Sequence, residues 1–291
     1  MNETTIPLLD EFVAGPVENI RQVAPETMVY APGGTRRSAV FSKIEPWSEK
    51  HMVWARTSLI HNIDLIFQHG VRHILAPAVT PTNVQEAHQH RHKLYAMADW
   101  VLAGEESLQY YARNGWRVRM VGGENIAELQ AAARRLVDNT AQRAEHTLWW
   151  LIMPEHNTFW NMLLSSAHRT PFNIREEIVQ AIFGEIVPPA TLLLAFGKPT
   201  FSLGLLPPFL FDEVECYWTQ RVGYSLDQEQ LRTVFYDYAY LRKTWQPDKL
   251  TRAYKATAHQ AAWEEGPILG LGMRLGPFWY PAPMSSPAWF T

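Results

Sequence analysis

A short glycine-rich segment with two adjacent arginines carries the strongest chemical signal in the chain. Residues 31–37 read APGGTRR and follow a short apolar run. Glycines permit close backbone approach, and arginines are charge-assisted donors for phosphate oxygens. The residues that could surround an anion are Gly33, Gly34, Thr35, Arg36 and Arg37. The segment indicates a phosphate-binding loop, although a tight turn followed by two solvated arginines explains it equally well.

Two further groups of residues could line a site. His88 and His92 lie four apart on a predicted helix and share a face, as a zinc pair would, but no matched third ligand follows. The long final helix supplies a candidate substrate pocket of Tyr236, Tyr240 and Arg242. With 12 Trp, 11 Tyr and 13 Phe, the chain has enough aromatic residues for a pocket that binds a large apolar ligand. A buried helix face explains the two tyrosines equally well.

Alternating strands and helices must position these residues. The predicted strands are 28–31, 71–77, 116–121, 146–153, 191–196 and 214–219. The predicted helices are 48–69, 83–103, 105–114, 126–138, 173–183 and 226–245, and 207–213 is predicted to be a loop. This alternation favours an α/β fold with a mostly parallel central sheet flanked by helices. Ligands of such sheets bind beyond the carboxyl ends of the strands, where residues 31–37 lie.

Composition narrows the class of protein. The 291 residues are 47% hydrophobic, carry a net charge of −3 and form one predicted domain, 1–291. The chain has no excess of basic residues of the kind that indicates nucleic-acid binding. No apolar run approaches the roughly 18 residues that a membrane span needs. The single cysteine, Cys216, and the lack of a signal-peptide pattern predict a cytoplasmic protein.

The loop and several later segments resemble one family. PGGTRR resembles the phosphate-binding loop of cis-prenyltransferases, and more closely that of their diterpene alcohol synthase branch, the tuberculosinol synthase type. Similar stretches include FQHGVRHILAP (67–77), REEIVQAIFGE (175–185), LRTVFYDYAYLR (231–242) and GLGMRLGPFW (270–279). The resemblance covers most of residues 28 to 280 and implies the cis-prenyltransferase (undecaprenyl diphosphate synthase-like) fold.

The departures from the family pattern restrict the reaction. Chain-elongating relatives hold their second substrate with arginines after the late strand, and the first of these matches Ala195. The site for a second diphosphate is therefore expected to be lost, as in the diterpene branch. The family's catalytic aspartate matches Gly33, so another group must take over its role or the chain is inactive.

The resemblance also implies roles for individual residues. Arg37 is a candidate catalytic residue, and His51 and His90 match tyrosines that line the active site of the diterpene branch. Glu215 matches a magnesium-binding glutamate of elongating enzymes, so Mg²⁺ is the implied cofactor. Homodimerisation is common in the fold and is implied as well.

The implied reaction uses one prenyl diphosphate and does not elongate it. We expect ionisation of a bicyclic C20 allylic diphosphate, kolavenyl diphosphate, and capture of the cation by water to give the tertiary alcohol kolavelool. Two alternatives are a prenyltransferase that makes irregular prenyl diphosphates and a non-catalytic partner subunit of an active cis-prenyltransferase. An all-helical terpene synthase is excluded, because its aspartate-rich metal motif is missing and Arg169 stands where its second motif requires a glutamate.

Overall fold

A parallel six-stranded sheet forms the centre of the computed structural model, which describes residues 7–46, 48–196, 206–219 and 223–240 and the backbone of 273–275 and 278–280. The strands are β1 (Thr27–Ala31), β2 (His73–Val79), β3 (Arg117–Val121), β4 (Thr147–Ile152), β5 (Ala190–Phe196) and β6 (Phe211–Thr219). Their order is β3-β4-β2-β1-β5-β6, with every neighbouring pair parallel. Two short strands, β7 (Met273–Leu275) and β8 (Phe278–Tyr280), pair antiparallel in a separate sheet. The predicted parallel α/β sheet is confirmed.

Helices connect the strands and cover the sheet. They are α1 (Leu9–Ala14), α2 (Val17–Arg21), α3 (Thr35–Phe41), α4 (Glu49–Gln68), α5 (Pro81–Ala87), α6 (Arg91–Ala103), α7 (Glu105–Arg113), α8 (Gln130–Asn139), α9 (Thr158–Arg169), α10 (Arg175–Phe183) and α11 (Gln228–Tyr240). The sequence did not predict α1, α2, α3 or α9. The predicted loop 207–213 is wrong at its end, because β6 begins at Phe211. None of the described helices is both long and apolar enough to cross a membrane.

The sheet separates two apolar cores. Met28 and Tyr30 of β1 are buried among residues of α4, α6 and α8, whereas Val29 between them is buried with residues of α9 and α10. Alternate side chains of a strand point to opposite faces, so both faces of β1 are covered. Strand β4, which lies between β3 and β2 and has the sequence TLWWLI, is buried at all six positions, as expected for a parallel strand covered on both sides.

Helix α4 begins and ends where its sequence predicts. The Ser48 side chain accepts a hydrogen bond from the backbone amide of His51 (3.1 Å), and Glu49 lies in the first turn. Gly70 follows the last turn with φ +103°, where a Cβ atom would lie 2.8 Å from the Arg21 Cα atom. The cap at Ser48 fixes His51 in the first turn of the helix.

Strand β1 lies at the point where the chain changes direction across the sheet. Its neighbours are β2 on one side and β5 on the other. The strands β2, β4 and β3 therefore extend the sheet to one side of β1, and β5 and β6 extend it to the other. Crevices beyond the carboxyl ends of strands at such a switch point are the usual ligand sites of open α/β sheets. Residues 32–34, which join β1 to α3, occupy this position.

Candidate active site

The phosphate loop, residues 32–37, crosses the carboxyl edge of the sheet and enters α3. Gly33 has φ +77°, and a Cβ atom there would meet only the Phe196 carbonyl oxygen, at 3.6 Å. Gly34 is extended, and a Cβ atom there would have no neighbour within 4 Å. No side chain caps the first turn of α3, so its amide groups can be presented to an anion.

Two arginines follow the glycines of the loop. The half-exposed Arg36 guanidinium donates a hydrogen bond to the carboxylate of Glu86 on α5 and forms a salt bridge with it. The backbone of Arg37 lies in α3, and its side chain is outside the described part of the structure. Both residues therefore lie in the part of the loop that forms the first turn of α3.

His51 is brought to this loop from α4. Its imidazole is fully buried, hydrogen bonds with the backbone of Thr35 and stacks on the Trp54 ring, with centroids 6.3 Å apart. Burial lowers the pKa of His51, the hydrogen bond with Thr35 raises it by a smaller amount, and the positive charge of Arg36 lowers it by less again, so the pKa lies below its ordinary value. The imidazole is therefore neutral near pH 7 and can accept a proton beside the phosphate loop.

A short turn that the sequence analysis missed packs against the loop. Gly223 begins a 3-10 turn, Gly223–Ser225, and a Cβ atom at Gly223 would lie 2.2 Å from the Pro32 carbonyl oxygen. The Tyr30 hydroxyl donates to the Gly223 carbonyl (2.8 Å), and Asn62 Nδ2 donates to both oxygens (2.8 and 3.0 Å). These buried hydrogen bonds join β1, α4 and the turn. Only glycine fits at position 223, because a side chain there would collide with the Pro32 carbonyl.

Three partly exposed aromatic residues, Trp54, Phe196 and Tyr224, lie near the loop. Tyr224 follows Gly223, and its ring lies 5.5 Å from that of Trp54 on α4. Phe196 ends β5 next to Gly33, and its ring packs edge-on against Tyr30 at 6.1 Å. The site thus combines anion donors, a neutral imidazole and apolar ring faces.

The HQHRH segment departs from its prediction. The helix predicted over 83–103 is broken, because α5 ends at Ala87 and His88 has φ +43°. His88 and His92 therefore do not share a helix face, and the exposed His90 ring lies 6.4 Å from that of His92. Among the described residues, no group of three or more His, Cys, Asp or Glu side chains could hold a metal ion. The role of His90 in the pocket stays a prediction.

Glu215 lies within β6 and not at its carboxyl end. It is paired in register with Leu192, whereas Ala31 is level with Ala195 and Trp218. Three residues of strand place Glu215 about 10 Å below the level of Ala31. Within one chain, Glu215 is therefore remote from the phosphate loop, whose amide and guanidinium donors suit an anion and not a cation. The magnesium-binding role of Glu215 stays a prediction.

The predicted pocket residues of the last helix make structural contacts. The Tyr236 hydroxyl donates to the Pro7 carbonyl (2.7 Å), and Phe12 of α1 packs against the rings of Tyr236 and Tyr240 at 5.5 and 5.7 Å. These contacts attach α1 to α11. Arg242 lies outside the described residues. The assignment of all three to a substrate pocket stays a prediction.

Comparisons with known proteins identify relatives of the chain and of its fold. No family model matches the chain. It is 41% identical over 276 residues to the (+)-kolavelool synthase of Herpetosiphon aurantiacus, covering 94% of this chain and 96% of that protein. It is 23% identical over 252 residues to the tuberculosinyl adenosine transferase of Mycobacterium tuberculosis, covering 80% and 82% of the two chains.

Solved structures share the architecture at low sequence identity. Lavandulyl diphosphate synthase from Lavandula x intermedia, solved with dimethylallyl diphosphate, matches with a TM-score of 0.60 and 12% identity, covering 75% of this chain and 97% of that one. A probable undecaprenyl diphosphate synthase from Campylobacter jejuni matches with a TM-score of 0.56 and 11% identity, covering 76% and 98%. The chain therefore has the cis-prenyltransferase fold and belongs to the family of the (+)-kolavelool synthase.

Proposed function

We propose that this chain is a diterpene synthase that ionises one bicyclic C20 allylic diphosphate, kolavenyl diphosphate, and adds water to the cation. The products are the tertiary alcohol kolavelool and diphosphate. The 41% identity to a (+)-kolavelool synthase over nearly the full chain supports the reaction class. The observation that carries the proposal is the buried His51 imidazole, which hydrogen bonds with the backbone of Thr35 in the phosphate loop.

The first step is loss of diphosphate. The allylic C–O bond breaks, and both bonding electrons leave with the diphosphate oxygen. Arg36, Arg37 and the loop amides stabilise the negative charge as it develops on that oxygen. When bound with the substrate, Mg²⁺ would neutralise part of this charge. The described residues at the loop are hydrogen-bond donors, which suit the diphosphate and do not ligate a metal ion.

The second step is capture of the cation by water. The water oxygen forms a bond to the tertiary allylic carbon, and the oxonium ion so formed loses one proton. His51 accepts this proton, because burial and the neighbouring Arg36 keep its imidazole neutral. A single imidazole beside the leaving group thus completes a hydrolysis that needs no second diphosphate.

The proposal includes the cellular setting of the enzyme. We place the enzyme in the cytoplasm as a homodimer of one-domain chains, with a prenyl diphosphate as its small-molecule partner. The resemblance to cis-prenyltransferases supports the dimer. The free Cys216 thiol supports the cytoplasm, because it fits a reducing compartment.

Incubation of the purified chain with kolavenyl diphosphate and with linear C15 and C20 allylic diphosphates tests the reaction. Products with Mg²⁺ and with EDTA are read by gas chromatography and mass spectrometry. We expect a tertiary alcohol from the bicyclic substrate. A prenyl diphosphate product would show a condensing enzyme instead, and no product from any substrate would favour a non-catalytic partner subunit.

The Arg37→Ala variant tests the loop. Loss of one donor to a developing anion should reduce kcat about 100-fold. Arg113→Ala is the matched control, because Arg113 is exposed at the end of α7. Unchanged turnover and substrate affinity in the Arg37 variant would show that the loop does not bind the diphosphate.

A further inference from the structure

Trp54 and Tyr224 form an aromatic wall beside the phosphate loop. Their rings lie 5.5 Å apart with an angle of 35° between the planes. Trp54 also stacks on His51, which is hydrogen-bonded to Thr35 in the loop. The wall is therefore connected to the anion site through one imidazole ring.

The position of Tyr224 is fixed by its neighbours. Gly223 fits against the Pro32 carbonyl with no space for a side chain, and its own carbonyl accepts hydrogen bonds from Tyr30 and Asn62. Helices α3 and α4 and the turn therefore pack together at the mouth of the loop. Burial raises the pKa of the Tyr224 hydroxyl well above its ordinary value, so the ring stays a neutral phenol.

The rings are not wholly enclosed by the protein. Both Trp54 and Tyr224 are partly exposed, in contrast to Trp116, Trp149 and Trp150, which are buried in the cores. A carbon bonded to a diphosphate oxygen must lie next to the loop that binds the diphosphate. An electron-rich ring face within about 6 Å can attract a positive charge on that carbon.

We propose that Trp54 and Tyr224 contact the allylic carbons next to the diphosphate and stabilise the cation that forms when the C–O bond breaks. The inference rests on the proposed function and assigns that stabilisation to two residues. The interaction is stronger with the cation than with the neutral substrate. Its loss therefore lowers kcat more than it changes substrate binding.

Paired variants separate the charge of the ring from its volume. Trp54→Phe and Tyr224→Phe keep an aromatic face, whereas Trp54→Leu and Tyr224→Leu keep only an apolar group. We expect the leucine variants to lose about 30-fold in kcat and the phenylalanine variants only a few-fold. The affinity for inorganic diphosphate, measured by titration calorimetry, should be unchanged in all four.

Trp160→Leu is the matched control, because Trp160 is 45% exposed on α9, at the opposite face of the sheet. We expect its kcat to equal that of the wild type. Circular dichroism melting checks each fold. If Trp54→Leu does not fold, Trp54→Phe still decides, because it should keep diphosphate affinity and lose a few-fold in kcat, whereas a kcat equal to that of the wild type would overturn the role of Trp54.

The results distinguish this inference from the proposed function. A wild-type chain that converts no allylic diphosphate would overturn the proposed function. An active wild type whose folded leucine variants keep full kcat would overturn the role of the aromatic wall alone. Leucine variants that lose kcat and diphosphate affinity together would also overturn it, since that pattern shows a structural support of the loop.

Discussion

Arg36 of the phosphate loop and Glu86 of α5 form a salt bridge across the carboxyl edge of the sheet. The Glu86 carboxylate competes with a bound diphosphate for hydrogen bonds from the Arg36 guanidinium. Its negative charge also repels the diphosphate. Glu86→Gln should therefore bind inorganic diphosphate about 1.4- to fivefold more tightly, since an exposed pair contributes about 0.2–1 kcal/mol. Titration calorimetry at low salt measures the change.

Glu176→Gln on α10 is the control for this prediction, because its carboxylate pairs with Arg175 on the opposite face of the sheet. Its diphosphate affinity should match that of the wild type. Weaker diphosphate binding in Glu86→Gln would contradict the prediction and would show that the carboxylate assists the anion site.

The two loop glycines should differ in their tolerance of alanine. Gly33 has φ +77°, whereas Gly34 is extended, and neither site is sterically crowded. Alanine at Gly33 costs about 1–2 kcal/mol of backbone strain in the left-handed region. We expect Gly33→Ala to weaken diphosphate binding roughly tenfold as the loop shifts to relieve that strain. Gly34→Ala should bind as the wild type does, and equal behaviour of the two variants would show that the loop conformation is unimportant.

The strands and the cap of α4 could be predicted because their signals are local. An apolar run such as TLWWLI predicts a buried strand, and Ser48 before Glu49 predicts a helix start. The break at His88 was missed because HQHRH contains neither proline nor glycine. His88 has φ +43°, a backbone conformation uncommon for residues other than glycine, so the residue type did not predict the break.

The aromatic side of the site could not be predicted for a different reason. The Tyr30–Gly223 bond joins residues 193 positions apart, and the Asn62–Gly223 bond joins residues 161 apart. Neither residue type nor spacing indicates such a pairing. His51 was found only through the family resemblance, since a histidine in a first helical turn carries no signal of its own.

Glu215 offers a test of the metal prediction. Its carboxylate accepts a hydrogen bond from the Tyr217 hydroxyl (3.1 Å), which also lies 2.8 Å from Asp237 Oδ2. We expect Glu215→Gln to change the free energy of unfolding by about 1 kcal/mol, through its effect on the hydrogen bond with Tyr217. The register places Glu215 below the loop, away from the proposed diphosphate site. Its half-saturating Mg²⁺ concentration in a turnover assay should equal that of the wild type. A tenfold increase in that concentration would instead establish Glu215 as a metal ligand.

His51 makes the pH dependence of turnover a test of the proposed base. Its folded pKa lies below the ordinary 6.5, so the neutral imidazole persists as the pH falls through 6.5. We expect kcat to stay constant from pH 8 to below 6.5 and to fall only at lower pH. The unfolded chain takes up this proton near pH 6.5, so the free energy of unfolding should decrease as the pH falls from 6.5 towards the folded pKa.

The His51→Gln variant should lose about 100-fold in kcat and should lack the acid limb of the profile, because no imidazole remains to be protonated. His61→Gln is the matched control, since His61 lies on the exposed side of the same helix. Its kcat and acid limb should match those of the wild type. An acid limb that persists in His51→Gln would assign the titrating base to another group, such as the diphosphate itself. Because the loss of the limb requires the imidazole itself to titrate, this result separates a proton acceptor from a residue that only packs against Trp54.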